Sequence, residues 1–207
     1  MDELSRLVSL AFLMALLTSG IRLAIPIFLA ALGEIITERS GVINLGLEGL
    51  MLVGALAGFM VAYYAEQSFG AGWPLAPWLG LAAGVLAGMA LGLILAILAV
   101  SLHTDQVVTS IMLVILGQGI TTYIYQQQFS SLTARVTALD IFEIPGLAGL
   151  PVVGDLLFRH DLVTYASLFL LAAAWFLLYR TTWGLQLRAA GEHPAAAETS
   201  GVNVVRV

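Results

Sequence analysis

The sequence predicts an all-α fold, a polytopic bundle of about five membrane-spanning helices. Hydrophobic residues make up 60% of the 207-residue chain and charged residues only 10%, and the mean hydropathy is +0.98. These values lie far outside the range of soluble domains. A helix needs roughly 20 apolar residues to cross the hydrocarbon core, and five runs meet or approach that length. They cover residues 7–37, 49–65, 77–102, 107–125 and 162–179.

The first run is too long for one untilted span, and Arg22 and Pro26 interrupt it. It therefore predicts either a kinked helix or an interfacial lead-in followed by a span. Asp2 and Glu3 precede the first arginine, and apolar character continues to Thr37. A removable signal peptide instead has a positively charged start, a short apolar region and a cleavage site of small residues, so we expect this segment to be retained.

Aromatic residues surround the break between the second and third runs, which is typical of a membrane interface and predicts a short surface loop. Glycine then recurs every four residues along the third run, from Gly80 to Gly92. Such a stripe of small residues lets another helix approach closely. It is consistent with a sliding surface in a transport cycle, although static helix packing is the simpler interpretation.

The fourth run begins after Thr104 and Asp105, which are favourable residues at a helix start. Polar side chains follow at four-residue steps and fall roughly on one face, with valine at the missing position 114. Serine and threonine can bond within their own helix, but a glutamine has more donors and acceptors than a lipid-facing helix can satisfy. We therefore expect this row to face a pore: Gln106, Ser110, Gln118 and Thr122.

A polar connection at 126–161 contains prolines, glycines and charges, and we expect a packed external loop or a short re-entrant piece there. The last run is followed by a polar and basic segment at 181–207, which suits a cytoplasmic position. Within it, Pro194 opens and Gly201 closes an alanine-rich stretch, which predicts a short helix. A helix this short is marginal in water by itself, so we expect it to dock on another protein.

The most distinctive polar segment lies at residues 33–54, where glycines alternate with ionisable groups between two apolar runs. Its charged members include Glu34, Glu38, Arg39 and Glu48. Each ionisable group at membrane depth costs roughly 2.5–3.5 kcal/mol even on an insertion scale. Protein or water should therefore shield this segment, as it would along a transport path or at a gate.

Several function classes are excluded by composition. The chain has no cysteine, so thiol catalysis and thiolate metal sites are impossible within it. It also has no lysine, which a phosphate-binding P-loop requires. A net charge of −5 gives no basic surface for nucleic acid. The three histidines lie at separate run edges without metal-ligand spacing, so neither a catalytic nor a metal site is predicted.

Two motifs resemble the permeases of ATP-binding-cassette importers. Gly-Leu-Gln-Leu-Arg-Ala-Ala-Gly-Glu-His-Pro at 184–194, followed by Ala195-Ala196-Ala197-x-x-x-Gly201, is similar to their cytoplasmic coupling loop, with Ala195 in the place of a glutamate. Glu-Arg-Ser-Gly-Val-Ile-Asn-Leu-Gly-Leu-Glu-Gly at 38–49 resembles the branch for nucleosides and simple sugars. Asp105-Gln106-Val107-Val108 and the Pro-Gly-Leu and Pro-Val-Val-Gly stretches within 145–154 fit that branch too. Val114 stands where many relatives of this branch have an asparagine. Such relatives also continue beyond position 207, so we expect residues 1–207 to form a partial permease domain.

The resemblance implies a transport subunit that is not itself an enzyme and binds no cofactor, in a bacterial or archaeal plasma membrane. Expected partners are an ATPase subunit that uses the ATP, a second permease subunit, a periplasmic or lipoprotein-type binding protein, and membrane lipid. The implied substrate-path residues are Asn44, Glu48, Gln106, Ser110, Gln118 and Thr122. The implied ATPase-coupling residues are Arg188, Gly191, Pro194, Ala196, Ala197 and Gly201. Alternatives are a proton-coupled carrier that uses Glu34 and Glu48, and a non-catalytic membrane scaffold.

Overall fold

The computed structural model describes residues 10–129, 134–146 and 153–204, which are mostly helical. Five of the helices are long and apolar enough to span a membrane, as the sequence predicts. A π-helical turn, Ile97–Ser101, continues the third of them. The helices are α1 (Leu10–Arg39), α2 (Leu47–Phe69), α3 (Ala76–Ala96), α4 (Gln106–Phe129), α5 (Val153–Leu157), α6 (Leu162–Arg180), α7 (Thr182–Glu192) and α8 (Pro194–Thr199).

Helix α1 is one uninterrupted helix with Pro26 inside it. No break divides residues 10–39 into two helices, and an interfacial position of the first part stays a prediction. The helix ends at Gly41, which has a φ of +86°. Gly41 N donates to Glu38 O and Val42 N donates to Thr37 O, at 3.0 and 3.2 Å. This pair of bonds is a Schellman motif, and it satisfies carbonyl groups that the helix end leaves free.

Helices α2 and α3 pack through glycines on both sides. A Cβ atom added to Gly58 would lie 2.9 Å from Gly80 O, and one added to Gly84 would lie 2.9 Å from Gly54 O. Half of the predicted glycine stripe is thus a close helix contact, which fits static packing. The other half is looser, since a Cβ at Gly88 would meet nothing within 4 Å and one at Gly92 would lie at an ordinary contact distance, 3.8 Å, from Leu50 Cδ2.

Helix α4 crosses α2 where Gly117 meets Gly49. A Cβ added to Gly117 would lie 2.8 Å from Gly49 O, and one added to Gly49 would lie 2.6 Å from Leu113 O. Nearer the C-terminal ends of the two helices, aromatic rings fill the space, with Phe129 5.1 Å from Phe59 between ring centroids. The backbones therefore touch at one end of the contact and large rings separate them at the other.

The chain divides into two compact units, one formed by 33–138 with 177–207 and the other by 1–32 with 139–176. The second unit contains most of α6 and a small antiparallel hairpin. In that hairpin β1 (Ile141–Glu143) pairs with β2 (Arg159–Asp161). This hairpin and α5 lie in the segment predicted as an external loop, which begins within the last turn of α4. Residues 130–133 and 147–152 of that segment lie outside the described residues, and its external position stays a prediction.

Candidate functional site

The loop of residues 42–46 joins α1 to α2 and is attached to the start of α4. Gln106 Oε1 accepts a hydrogen bond from Ile43 N at 2.8 Å. One turn later, Ser110 Oγ lies 3.5 Å from Ile43 O, at the outer limit for a hydrogen bond, and Ser110 is fully buried. Asp105 fixes the start of α4, since its Oδ1 accepts from Val107 N at 2.9 Å. Two predicted substrate-path residues therefore hold this loop.

The buried side chain of Asn44 shapes the same loop. Its Oδ1 accepts from Gly46 N at 2.9 Å, which closes a local turn just before α2. Its backbone N donates to Glu34 Oε1 at 3.2 Å. Glu34 Oε2 in turn accepts from Thr37 Oγ1 at 3.2 Å. A carboxylate on α1 thus bridges the helix and the loop, which gives Glu34 a structural role.

The remaining predicted substrate-path residues lie elsewhere. Glu48 is exposed in the first turn of α2, where a negative charge is favourable near the positive end of the helix dipole. Gln118 and Thr122 are also exposed, away from the 42–46 loop. The separation has a geometric cause, because each four-residue step turns about 40° around an α-helix. From Gln106 to Thr122 the row turns about 160°, so its two ends face nearly opposite directions.

An open cavity of about 420 Å³ lies along the C-terminal half of α4. Gln118 and Thr122, both predicted as pore-facing, line it. The other lining residues are Ile115, Gly119, Tyr123 and Gln126. The predicted polar row is therefore divided into a part that holds a loop and a part that borders an open cavity.

Helix α7 packs directly on the turn that ends α1. A Cβ added to Gly191 would lie 2.9 Å from Gly41 N and would overlap Arg39 O. The contact is reciprocal, because a Cβ at Gly41 would lie 3.0 Å from Gly191 Cα. Only glycine fits at this contact on either side without moving the backbone. The two motifs singled out in the sequence, at 38–49 and 184–201, are therefore in contact.

Helix α8 matches the short helix predicted between Pro194 and Gly201. Pro194 is its first residue, and Gly201, with a φ of +85°, follows its end. Gly201 N donates to Glu198 O and Val202 N donates to Ala197 O, which is a second Schellman motif. Ala197 is buried, whereas Pro194 and Ala196 are exposed. One face of α8 is thus open to a partner.

Arg188 is half-buried and contacts the end of α6 and the start of its own helix, α7. Its Cζ lies 5.0 Å from the centroid of the Tyr179 ring, a cation–π contact. Its Nε donates to Gly184 O at 3.4 Å. Thr181 caps α7 by accepting from Gly184 N at 3.1 Å. Arg188 therefore positions α7 against the end of α6.

These contacts form a continuous connection from α8 to α4. Gly191 presses on the Arg39–Gly41 turn, that turn continues into the 42–46 loop, and Gln106 and Ser110 hold the loop. Helix α7 and the start of α4 thus contact the same segment, residues 39–46. No cluster of three or more histidine, aspartate or glutamate side chains that could hold a metal occurs among the described residues.

Sequence reasoning missed several residues of this arrangement. It did not identify the roles of Gly41, Gly49 and Gly117 in the close backbone contacts, or of Tyr123 and Gln126 in the cavity. For Gln126 a signal was present, because it continues the four-residue polar row of α4 by one step. For the glycines there was no sequence signal of their partners, since Gly41 and Gly191 are far apart in the chain.

Comparisons with known proteins agree with this architecture. A profile of the family described as branched-chain amino acid transport system / permease component matches residues 16–207. A Haloferax volcanii protein, provisionally named as a glucose ABC transporter permease, is 39% identical over 202 residues, which are 95% of this chain and 57% of that protein. The guanosine ABC transporter permease protein of Bacillus subtilis is 39% identical over 189 residues, 89% of this chain and 58% of that protein.

A nucleoside ABC transporter permease protein of Lactococcus lactis is 29% identical over 181 residues, 86% of this chain and 56% of that protein. The chain thus spans little more than half the length of the curated relatives it matches. No solved structure matches it significantly. The profile match covers most of the chain, and the five apolar helices agree with a multi-pass membrane protein. The chain therefore belongs to the family of branched-chain amino acid transport system permease components.

Proposed function

We propose that this chain is part of the membrane subunit of an ATP-binding-cassette importer that moves a nucleoside or a simple sugar. The main support is the family match together with relatives named as guanosine, nucleoside and glucose permeases. The contact between Gly191 and the Arg39–Gly41 turn adds a physical reason, because it links an exposed short helix to a polar loop in the membrane domain. Residues 1–207 would form part of a single permease domain.

In this mechanism, a separate ATPase subunit grips α8 and the end of α7. ATP binding closes the ATPase dimer and displaces α7, which pushes on the Arg39–Gly41 turn through Gly191. The 42–46 loop then shifts relative to the start of α4, because Gln106 and Ser110 hold it. Repeated displacement alternately opens the polar face of α4 to each side of the membrane.

The expected partners follow from placing ATP binding and hydrolysis on a separate subunit. The chain has no lysine and so no P-loop of its own, and ATP would be used by the ATPase subunit. A binding protein would deliver the substrate, and a second permease subunit would complete the pore. Residues 126–161 would lie outside and 181–207 in the cytoplasm of a bacterial or archaeal cell.

The proposal is tested by reconstituting the complete permease with its ATPase and binding protein in liposomes. Uptake of labelled guanosine and labelled ribose is measured with and without internal ATP. We expect ATP-dependent accumulation of one class of solute, and none with an ATPase variant that binds ATP but cannot hydrolyse it. Accumulation driven by a proton gradient without the ATPase would instead establish the carrier that uses Glu34 and Glu48. No accumulation under either condition would favour a scaffold.

A further inference from the structure

The exposed face of α4 changes character halfway along the helix. Residues seven apart lie on nearly the same line, because seven residues make about two turns. In the first half this face carries Ile111 and Met112, whose side chains are exposed. Two turns later the same lines carry Gln118 and Gly119, at the cavity. The exposed face thus carries apolar side chains in its first half, and polar side chains among apolar ones in its second half.

The polar half of this face cannot be satisfied by lipid. Gln118 lies near the middle of α4, and neither its amide nor that of Gln126 forms a hydrogen bond with any residue that the structure describes. Hydrocarbon offers no donor or acceptor, so polar side chains at this depth face water, a polar ligand or polar groups of another helix. The cavity beside them has a volume of about 420 Å³, which lies in the usual range of small-molecule sites, roughly 300–1,000 Å³.

The cavity groups are arranged along a line. Gln118, Thr122 and Gln126 follow at four-residue steps and span about 12 Å along the helix axis. The Tyr123 ring lies beside the middle of this line and is 65% exposed. Gln127 Nε2 donates to the Tyr123 hydroxyl at 3.2 Å, which orients the ring. The site therefore offers two amides, a hydroxyl between them and an exposed aromatic face.

This chemistry selects for an uncharged ligand with a flat, polar ring. No charged side chain lines the cavity, so nothing there would balance a phosphate, a carboxylate or an ammonium group. Glutamine amides offer a donor and an acceptor that match the edge of a base, and an aromatic ring stacks on any base. Because the two glutamines lie about 12 Å apart along the helix axis, a base joined to a ribose matches their separation better than a single sugar ring does.

We propose that this cavity binds an uncharged nucleoside, with Tyr123 stacking on the base and the amides of Gln118 and Gln126 holding the two ends of the nucleoside. The inference rests on the proposed transport function for its biological setting. The inference narrows the transported solute from a nucleoside or a simple sugar to a nucleoside. It also assigns specificity to Tyr123 and Gln126, which the sequence did not single out.

A binding test that does not depend on transport uses single cysteines. The 207 residues contain no cysteine, and a side chain at Gly119 would meet nothing within 4 Å. Gly119→Cys is made in the complete permease, with any cysteine elsewhere replaced by serine, and treated with a charged, water-soluble thiol reagent. We expect modification of Gly119→Cys, at least severalfold slower with excess guanosine but not with ribose. The matched control is Met112→Cys, two turns earlier on the same line, which should stay unmodified.

Two results of this experiment would overturn the inference. If Gly119→Cys is not modified in either the ATP-bound or the nucleotide-free transporter, lipid or protein covers this face. If ribose protects it as well as guanosine does, the site does not recognise a base.

Transport kinetics supply the second test. Tyr123→Leu should raise the KM for guanosine about tenfold, because a stacking partner is lost, while Tyr123→Phe, which keeps the ring, should raise it much less. Equal loss of guanosine and ribose uptake in Tyr123→Leu, or no change in either, would contradict the inference. A wild-type transporter that accumulates ribose and no nucleoside would also overturn it and leave the importer function intact. If nothing is accumulated, the proposed function fails, and guanosine protection of Gly119→Cys decides the binding inference independently.

Discussion

The two halves of α4 carry similar polar residues in very different environments. In the first half, Gln106 is bonded to Ile43 and Ser110 is buried against the same loop. In the second half, Gln118 and Thr122 are exposed at the cavity. The sequence pattern is the same four-residue step throughout. Its meaning therefore depends on what packs against each turn of the helix.

Two features cause this difference. The row turns about 160° around the helix between its ends, so one stripe cannot face one partner along its whole length. The glycine crossing at Gly49 and Gly117 lies between the two halves and brings the backbones of α2 and α4 together there. On one side of the crossing the polar groups contact the 42–46 loop, and on the other side they are exposed at the cavity.

The largest expected effect comes from the contact between Gly191 and the Arg39–Gly41 turn, which precedes the loop held by the first half of α4. Gly191→Val would drive a branched side chain into the backbone of the Arg39–Gly41 turn, which has no flexible side chain to move aside. We expect ATP-driven uptake in proteoliposomes to fall to background while the protein still inserts into the membrane. The loss would follow from a misplaced α7 and a broken connection to the 42–46 loop.

The control for this variant is Gly88→Val, another glycine within a helix, where an added Cβ meets nothing within 4 Å. It should retain most of the uptake. Normal uptake by Gly191→Val would show that this contact does not couple the ATPase to the membrane domain.

The next effect tests the crossing that separates the two halves. Gly117→Val would force α2 and α4 apart, since a Cβ there lies 2.9 Å from Gly49 Cα. Overpacking of this kind costs about 1–3 kcal/mol, so the free energy of unfolding in mixed micelles should fall by that amount or more. Gly119→Val is the matched control, two residues away on the open face, and should change stability little. Equal losses in the two variants would mean that helix propensity, rather than the crossing, controls the result.

A smaller effect compares the two halves directly by the same substitution. Gln106→Leu removes the acceptor of Ile43 N and should lower the free energy of unfolding by about 0.5–1.5 kcal/mol. Gln118→Leu removes no hydrogen bond within the described residues and should change stability by less than about 0.5 kcal/mol. It should instead alter the KM for the transported solute. If Gln118→Leu destabilises the protein and leaves uptake kinetics unchanged, the second half of the row is structural as well.

The spans could be predicted from the sequence because twenty apolar residues have few alternatives in a membrane protein. The helix from Pro194 to Gly201 was predictable too, because both of its ends have local signals. The contacts between elements were not. Nothing in the neighbourhood of Gly191 points to Gly41, and the glycine stripe of α3 does not reveal that Gly54 and Gly58 are its partners. The division of the polar row was hidden because a four-residue step only approximates the helical repeat.

The smallest expected effect distinguishes the importer from a proton-coupled carrier. Glu34→Gln keeps an oxygen that can accept from Asn44 N and loses only the acceptor for Thr37, so uptake by an ATP-driven importer should stay within about twofold. Glu34→Leu removes both acceptors and leaves Asn44 N without its partner, which should cost about 1–3 kcal/mol of stability. A carrier would behave differently, because neither glutamine nor leucine can carry a proton and both variants would lose uptake alike. Uptake of labelled guanosine and ribose by the two variants therefore separates a carboxylate that holds a loop from one that transfers protons.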